Sequence, residues 1–304
     1  MGKIFWLIVL IIVAVAIYNV FIRFGSEVKF GNLNSLFRIP SGLNRGVSPA
    51  VTVSPGGEKS AVKTPVPPKP TITLPAGFTI NQLSPYYGQV EIYSASQGDS
   101  YAPSRLSIKT SSDYFADSPV NITGWRVKAN KGVIFFIPGA VNDFNPSSLN
   151  LAADIILRKG DYVNLYSNFS PVGVGFRLNQ CAGYLNSINK FNPFLPNSCP
   201  AMYNRSEITS FSGACQNLIT SLWGCAVPSA DQINSIPQSN DDQCRALLLN
   251  RFNYRGCYQY HRGDANFFSG EWWVWVNTAM NFDWSHDRLL LLDRNNLLVD
   301  EYVY

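Results

Sequence analysis

The chain has 304 residues, 46% of them hydrophobic and 14% charged, which is enough apolar side chain for a buried core and enough length for one large or two ordinary domains. Its net charge of +4 is unevenly laid out: residues 1–76 hold eight Lys/Arg against Glu27 and Glu58, leaving 16 basic and 18 acidic residues, a net −2, in 77–304. A slightly acidic globule lacks the clustered cations that grip a phosphate backbone, so composition argues against nucleic acid as the partner of the C-terminal part.

Residues 1–3 precede the run 4–22, in which only Asn19 is clearly polar. At about 1.5 Å of rise per residue, a helix of this length spans a ~30 Å hydrocarbon core, so a transmembrane helix is expected over 4–22. A cleaved signal peptide has a shorter apolar stretch and a small-x-small site. This run instead closes on Tyr18, Asn19, Val20 and Phe21 and reads as an uncleaved anchor. Lys3 before it and Arg23 and Lys29 after it leave the orientation open. Residues 23–76 turn to Ser, Gly, Pro, Val and Lys and end in Lys63-Thr-Pro-Val-Pro-Pro-Lys-Pro70. They are expected to form a disordered linker whose prolines favour extended polyproline II and hold the following domain off the bilayer.

From Phe78 onward, short β-type runs at 89–94, 105–110, 125–129, 133–137, 162–166 and 174–178 alternate with turn residues. In 105–110 and 125–129 polar and apolar residues alternate with period 2, as one buried and one wet face require. Short strands at this spacing indicate a sandwich or barrel. After Cys181 the pattern changes. Apolar residues fall at helical spacing in 212–222 and 241–252, for instance Cys244, Leu247, Leu248 and Phe252, and 181–262 reads as a small, mostly helical insertion. β character returns at 271–276, 288–293 and 297–304, with Arg294-Asn295-Asn296 as the turn between the last two, because Asn tolerates the left-handed backbone of tight hairpins. Two or three strands are marginal alone, so 263–304 is expected to complete one β domain with 77–180.

All six cysteines, Cys181, Cys199, Cys215, Cys225, Cys244 and Cys257, lie in this insertion. No CxxC or CxxH spacing occurs and the only histidines are His261 and His286, so disulfides are expected rather than zinc, with no metal or other cofactor. The pairing is left open by the sequence. Disulfides imply an oxidising compartment, which places the C-terminal part outside the cytoplasm and the anchor in the plasma (inner) membrane.

The run Val120-Asn-Ile-Thr-Gly-Trp-Arg-Val127, then Gly132-Val-Ile-Phe-Phe-Ile-Pro138, then Ile156-Leu-Arg-Lys-Gly-Asp-Tyr-Val-Asn-Leu165, resembles the lamin-tail domain. That family has a Val-x-Leu-x-Gly-Trp strand, a glycine-marked hairpin ending near a proline, and a Leu-x-x-Gly-Asp-x-Val-x-Leu strand. The ending Leu290-Leu-Leu-Asp293 through Leu298-Val-Asp300 is similar to its closing hairpin, with Asn295-Asn296 where that family usually has Asn-Gly or Asp-Gly. The cysteine insertion departs from the pattern and looks like a bacterial membrane-anchored type. The resemblance implies an immunoglobulin-like β-sandwich carrying a disulfide-stapled helical insertion, behind one transmembrane helix and a Pro-rich linker. It also implies an interaction module and not a catalyst. Expected partners are the membrane, through the N-terminal helix, and a protein or polysaccharide.

Three groups of residues invite a sharper reading. Trp272, Trp273, Trp275 and Trp284, with Tyr258 and Tyr260, concentrate aromatics that could stack on sugar rings or a protein partner. Alternation in a strand puts Trp273 and Trp275 on one face and Trp272 on the other, so the same residues also fit a central strand packed on both sides. His261 or His286 with Asp264, Glu271, Asp283 or Asp287 could make a general base for a surface hydrolase, although no Gly-x-Ser-x-Gly, His-Glu-x-x-His or phosphate loop accompanies them. Arg262-Gly263-Asp264 is the tripeptide integrins read, and a three-residue match of this kind fits an ordinary glycine turn.

Overall fold

The computed structural model describes residues 74–112, 118–145, 147–237 and 241–303. The expected transmembrane segment 4–22 and the linker up to residue 73 lie outside the described residues, among which no helix is long and apolar enough to cross a membrane.

The strands, in chain order, are β1 (Val90–Ser96), β2 (Arg105–Thr110), β3 (Val120–Asn121), β4 (Arg126–Ala129), β5 (Ile134–Phe136) and β6 (Ala140–Val141), then β7 (Ile156–Leu157), β8 (Tyr162–Tyr166), β9 (Gly175–Asn179), β10 (Phe268–Trp275), β11 (Arg288–Leu292) and β12 (Leu298–Val303). A large sheet runs β1-β2-β8-β10-β9-β6, a smaller one β12-β11-β4-β5, and β3 pairs with β7. Each of the nine β runs read from the sequence falls on a strand.

The C-terminal strands are woven into both sheets. β10 lies parallel to β8, with Trp272 opposite Val163, and antiparallel to β9, with Trp273 opposite Phe176. β11 pairs with β4, Leu291 opposite Val127. One apolar cluster joins the inner faces of the sheets: Leu106, Ile108, Val163, Leu165, Trp272 and Val274 from the large sheet meet Val127, Phe135, Leu289, Leu291 and Val299 from the small one. Each such side chain contributes about 1.5–3 kcal/mol on burial. Turns are closed by carboxylates. Asp293 accepts from Asn295 N and Leu297 N at 2.8 and 3.0 Å and from Ser84 Oγ at 2.7 Å, while Asn296 takes the left-handed φ of 64° expected of it.

Between β9 and β10 come a 3-10 turn (Ala182–Ser187) and helices α1 (Arg205–Ile208), α2 (Gly213–Ser221), α3 (Ala230–Asn234), α4 (Asp242–Arg251) and α5 (Tyr254–His261). The two helical runs seen in the sequence correspond to α2 and α4. Ser212 caps α2 by accepting from Cys215 N at 3.2 Å, and Asn253 caps α5 by accepting from Gly256 N at 2.9 Å. Cys215 and Ile219 on α2, and Cys244, Leu247 and Leu248 on α4, turn inward. They join Tyr166, Phe176, Trp273 and Trp275 from the outer face of the large sheet in a second apolar cluster. All six cysteines are paired, as Cys181–Cys257, Cys199–Cys225 and Cys215–Cys244.

Candidate functional site

Register sorts the outer face of the large sheet into three rows. Arg105, Tyr166 and Trp275 form one, Ser107, Asn164 and Trp273 the next, and Lys109, Tyr162 and Glu271 the last. The helical layer packs on Tyr166, Trp273 and Trp275 and stops there. The remaining residues, with Tyr93 and Ser94 of β1 and with Lys159 and Gly160 of the β7–β8 turn, line a groove of about 620 Å³.

The floor of the groove is a hydrogen-bond chain crossing three strands. Ser107 Oγ donates to Asn164 Oδ1 at 2.6 Å, and Asn164 Nδ2 donates to Glu271 Oε1 at 2.8 Å. Trp273 Nε1 donates to the same oxygen at 2.5 Å, and the Tyr162 hydroxyl donates to Glu271 Oε2 at 2.6 Å. Burial, and then the neighbouring Glu271 carboxylate, push the Tyr162 phenol well above its ordinary range, so it stays a donor. Both Glu271 oxygens are therefore occupied.

The rim is equally defined. Gly160 N donates to Thr110 Oγ1 at 2.8 Å, Thr110 N to Asp161 O at 3.1 Å, and Arg158 N to Asp161 Oδ2 at 2.9 Å, so the turn carrying Lys159 is tied to the end of β2. Gly160 has φ +87°, which a side chain would strain. Lys109 pairs with Glu91 at 3.1 Å and sits 4.3 Å from the centroid of the Tyr93 ring, which is 62% exposed.

The aromatic cluster read from the sequence is elsewhere, and four of its six members are withdrawn from solvent. Trp272, Trp273, Trp275 and Tyr258 are only 2–5% exposed, so they cannot act as an exposed stacking surface. Trp272 joins the core between the sheets, while Trp273, Trp275 and Tyr258 join the helical layer, the two-sided packing of a central strand. Trp284 is partly buried against the inter-sheet core beside Phe282, and Tyr260, 45% exposed, lies under the Arg251 guanidinium at 4.6 Å.

The candidate acid–base residues do not gather in one site. His261 Nδ1 meets Asp264 Oδ2 at 2.8 Å, but its Nε2 faces the Ala201 carbonyl at 3.1 Å, leaving neither nitrogen free as a base. His286 sits on an exposed turn. Asp287 accepts from the backbone of Asn130, Asp283 and Arg288, Asp283 pairs with Lys131, and Glu271 belongs to the groove network. Asp264 follows α5 in the turn that contains the Arg-Gly-Asp tripeptide.

Sequence reasoning missed Tyr93, Arg105, Ser107, Lys159 and Asn164 as site residues. The alternation in 105–110 did mark Arg105, Ser107 and Lys109 as one face. Only the register of β2 against β8 and β10 shows that they share a surface with Asn164 and Glu271. No family model, no curated protein and no solved structure matches this chain.

Proposed function

We propose that this chain is a membrane-anchored, extracytoplasmic binding module, held at the plasma (inner) membrane by residues 4–22 and carrying an immunoglobulin-like β-sandwich of lamin-tail type. The sandwich reading draws support from two sheets enclosing one core, and from the motif residues Gly124 (φ +78°), Gly160 and Asp293 standing at turns. The extracytoplasmic reading draws support from the three disulfides, which persist in oxidising compartments.

The observation that carries the binding reading is the groove, a sheet face left open beside the helical layer, with a saturated polar floor and a cationic rim. A hydrogen-bonded floor favours orienting a ligand over attacking one, because three donors already hold the Glu271 carboxylate in place. The test is to screen the full-length chain in detergent against arrays of glycans and peptides, with Lys159→Glu and Tyr93→Ala in parallel. Binding that these variants weaken sustains the reading, and binding that neither affects removes the groove from it. Turnover of an ester, peptide or polysaccharide that His261→Ala abolishes would replace it with a surface hydrolase.

A further inference from the structure

Resting on the groove as the recognition surface, we propose that its ligand is an acidic saccharide, a sugar chain carrying carboxylate or sulfate groups. Three features of the groove select that chemistry. The first is a charge contrast. Residues 77–304 are net −2, yet Arg105, Lys109 and Lys159 converge on the groove around Glu271, the one lining carboxylate among the described residues. Glu271 is engaged by three donors, and Lys109 is shared with Glu91. Arg105 and Lys159 have no carboxylate partner among the described residues, so each can meet an incoming anion without first breaking an ion pair.

The second feature is the exposed face of Tyr93 at the groove wall. Its own cation, Lys109, lies over one side, and an aromatic face beside a cation suits a sugar ring bearing an acid group. The third is the nature of the surface. The groove lies on the face of the sheet, so the β2, β8 and β10 backbones are consumed in their ladders, and a ligand on its floor meets side chains, with the Gly160 backbone at the rim. A peptide recognised by strand addition needs a free edge, which the floor strands β2, β8 and β10 do not have. A hydroxyl at Ser94, two tyrosine rings and two cations without a carboxylate partner among the described residues instead match a polyol with spaced anions. At about 620 Å³ the groove falls within the ~300–1,000 Å³ range of small-ligand sites.

The test is equilibrium binding of the full-length chain in detergent to polygalacturonate and dextran sulfate. The controls are fully methyl-esterified polygalacturonate, plain dextran, poly-glutamate and duplex DNA. The acidic polysaccharides should bind and weaken with added salt, and each control should bind about tenfold more weakly or worse. Lys159→Glu and Arg105→Glu should each cost about tenfold or more on the acidic polymers, and Tyr93→Ala should weaken them as well. All three positions are exposed, so the variants should keep the parent melting temperature.

Neutral polymers binding as tightly as acidic ones, and losing affinity with Tyr93→Ala, would overturn the acidic class while leaving the groove as the site. Poly-glutamate or DNA binding equally well would show attraction to charge without any reading of sugar, and would overturn the proposal. Acidic polymers that bind all three variants unchanged would overturn both the ligand class and the groove. Failure of both acidic polymers to bind overturns the ligand class alone.

Discussion

Replacing Cys181 and Cys257 together by alanine removes the bridge at the base of the helical layer, which joins Cα atoms 5.7 Å apart across 76 residues of chain. Loop-closure entropy for a ring of that length corresponds to about 4.5 kcal/mol at 25 °C. The other two bridges lie inside this ring and overlap each other, so the shortest covalent route from Cys181 to Cys257 crosses roughly 40 residues, and the expected loss falls only to about 4 kcal/mol. In a unit of this size, each kcal/mol lowers Tm by about 2–4 °C, so the double variant should melt roughly 8–16 °C lower. Near-UV circular dichroism is the suitable assay, because Trp273 and Trp275 sit under the helical layer and report its packing. Peptide mapping without reductant confirms that Cys199–Cys225 and Cys215–Cys244 remain. A fall below about 3 °C with those two bridges intact would show that the helical layer is held by packing and not by its covalent base.

Burial pushes the Asp300 carboxyl up from its ordinary 3.8 to about 6, against the pull of the Ile92 N–H at 2.7 Å. A raised folded pKa gives stability that is full below about pH 4 and lost as pH rises through about 6, so Asp300→Asn should gain about 1–3 kcal/mol at pH 7 and flatten the profile. Calorimetric melting from pH 4 to 8 checks this, and an unchanged slope would count against it. A Cβ at Gly183 would collide with Cys225 Sγ and the Pro196 carbonyl, so Gly183→Ala should cost about 2–4 kcal/mol in urea denaturation; a loss under about 0.5 kcal/mol would contradict the close packing. Deleting 288–304 strips β11 and β12 from β4 and uncovers the inter-sheet core, so the remainder should lose its sharp thermal transition, and a fragment 77–180 that melts cooperatively would refute this.

Strand positions were legible because alternation and turn residues are local properties. Runs 105–110 and 162–166 coincide with β2 and β8 to the residue. Two-residue strands such as β3, β6 and β7 carry too few positions to show a period. Helix α5 was passed over, although its buried Tyr254, Cys257 and Tyr258 are spaced i, i+3, i+4, because Gly256 and the three tyrosines weaken the propensity signal. Aromatic density misdirected the search for a site. A tryptophan-rich strand is what a sheet buried on both faces requires, and Trp273 and Trp275 serve the helical layer. Arg105 and Asn164 meet in one groove through a pairing between strands far apart in sequence, which no local window contains.

β8 and β9 follow one another in the chain yet are not neighbours; the gap between them is filled by β10, roughly a hundred residues later. Emerging from a ribosome or a translocation pore, the first nine strands therefore cannot close the large sheet, and β8 and β9 each present an open edge until residue 275 has followed. The Cys181–Cys257 bridge obeys the same clock, since its second sulfur arrives just ahead of β10. Maturation is thus governed from the C-terminal end, and a premature stop anywhere before β10 yields a chain without a completed large sheet and not a smaller functional one.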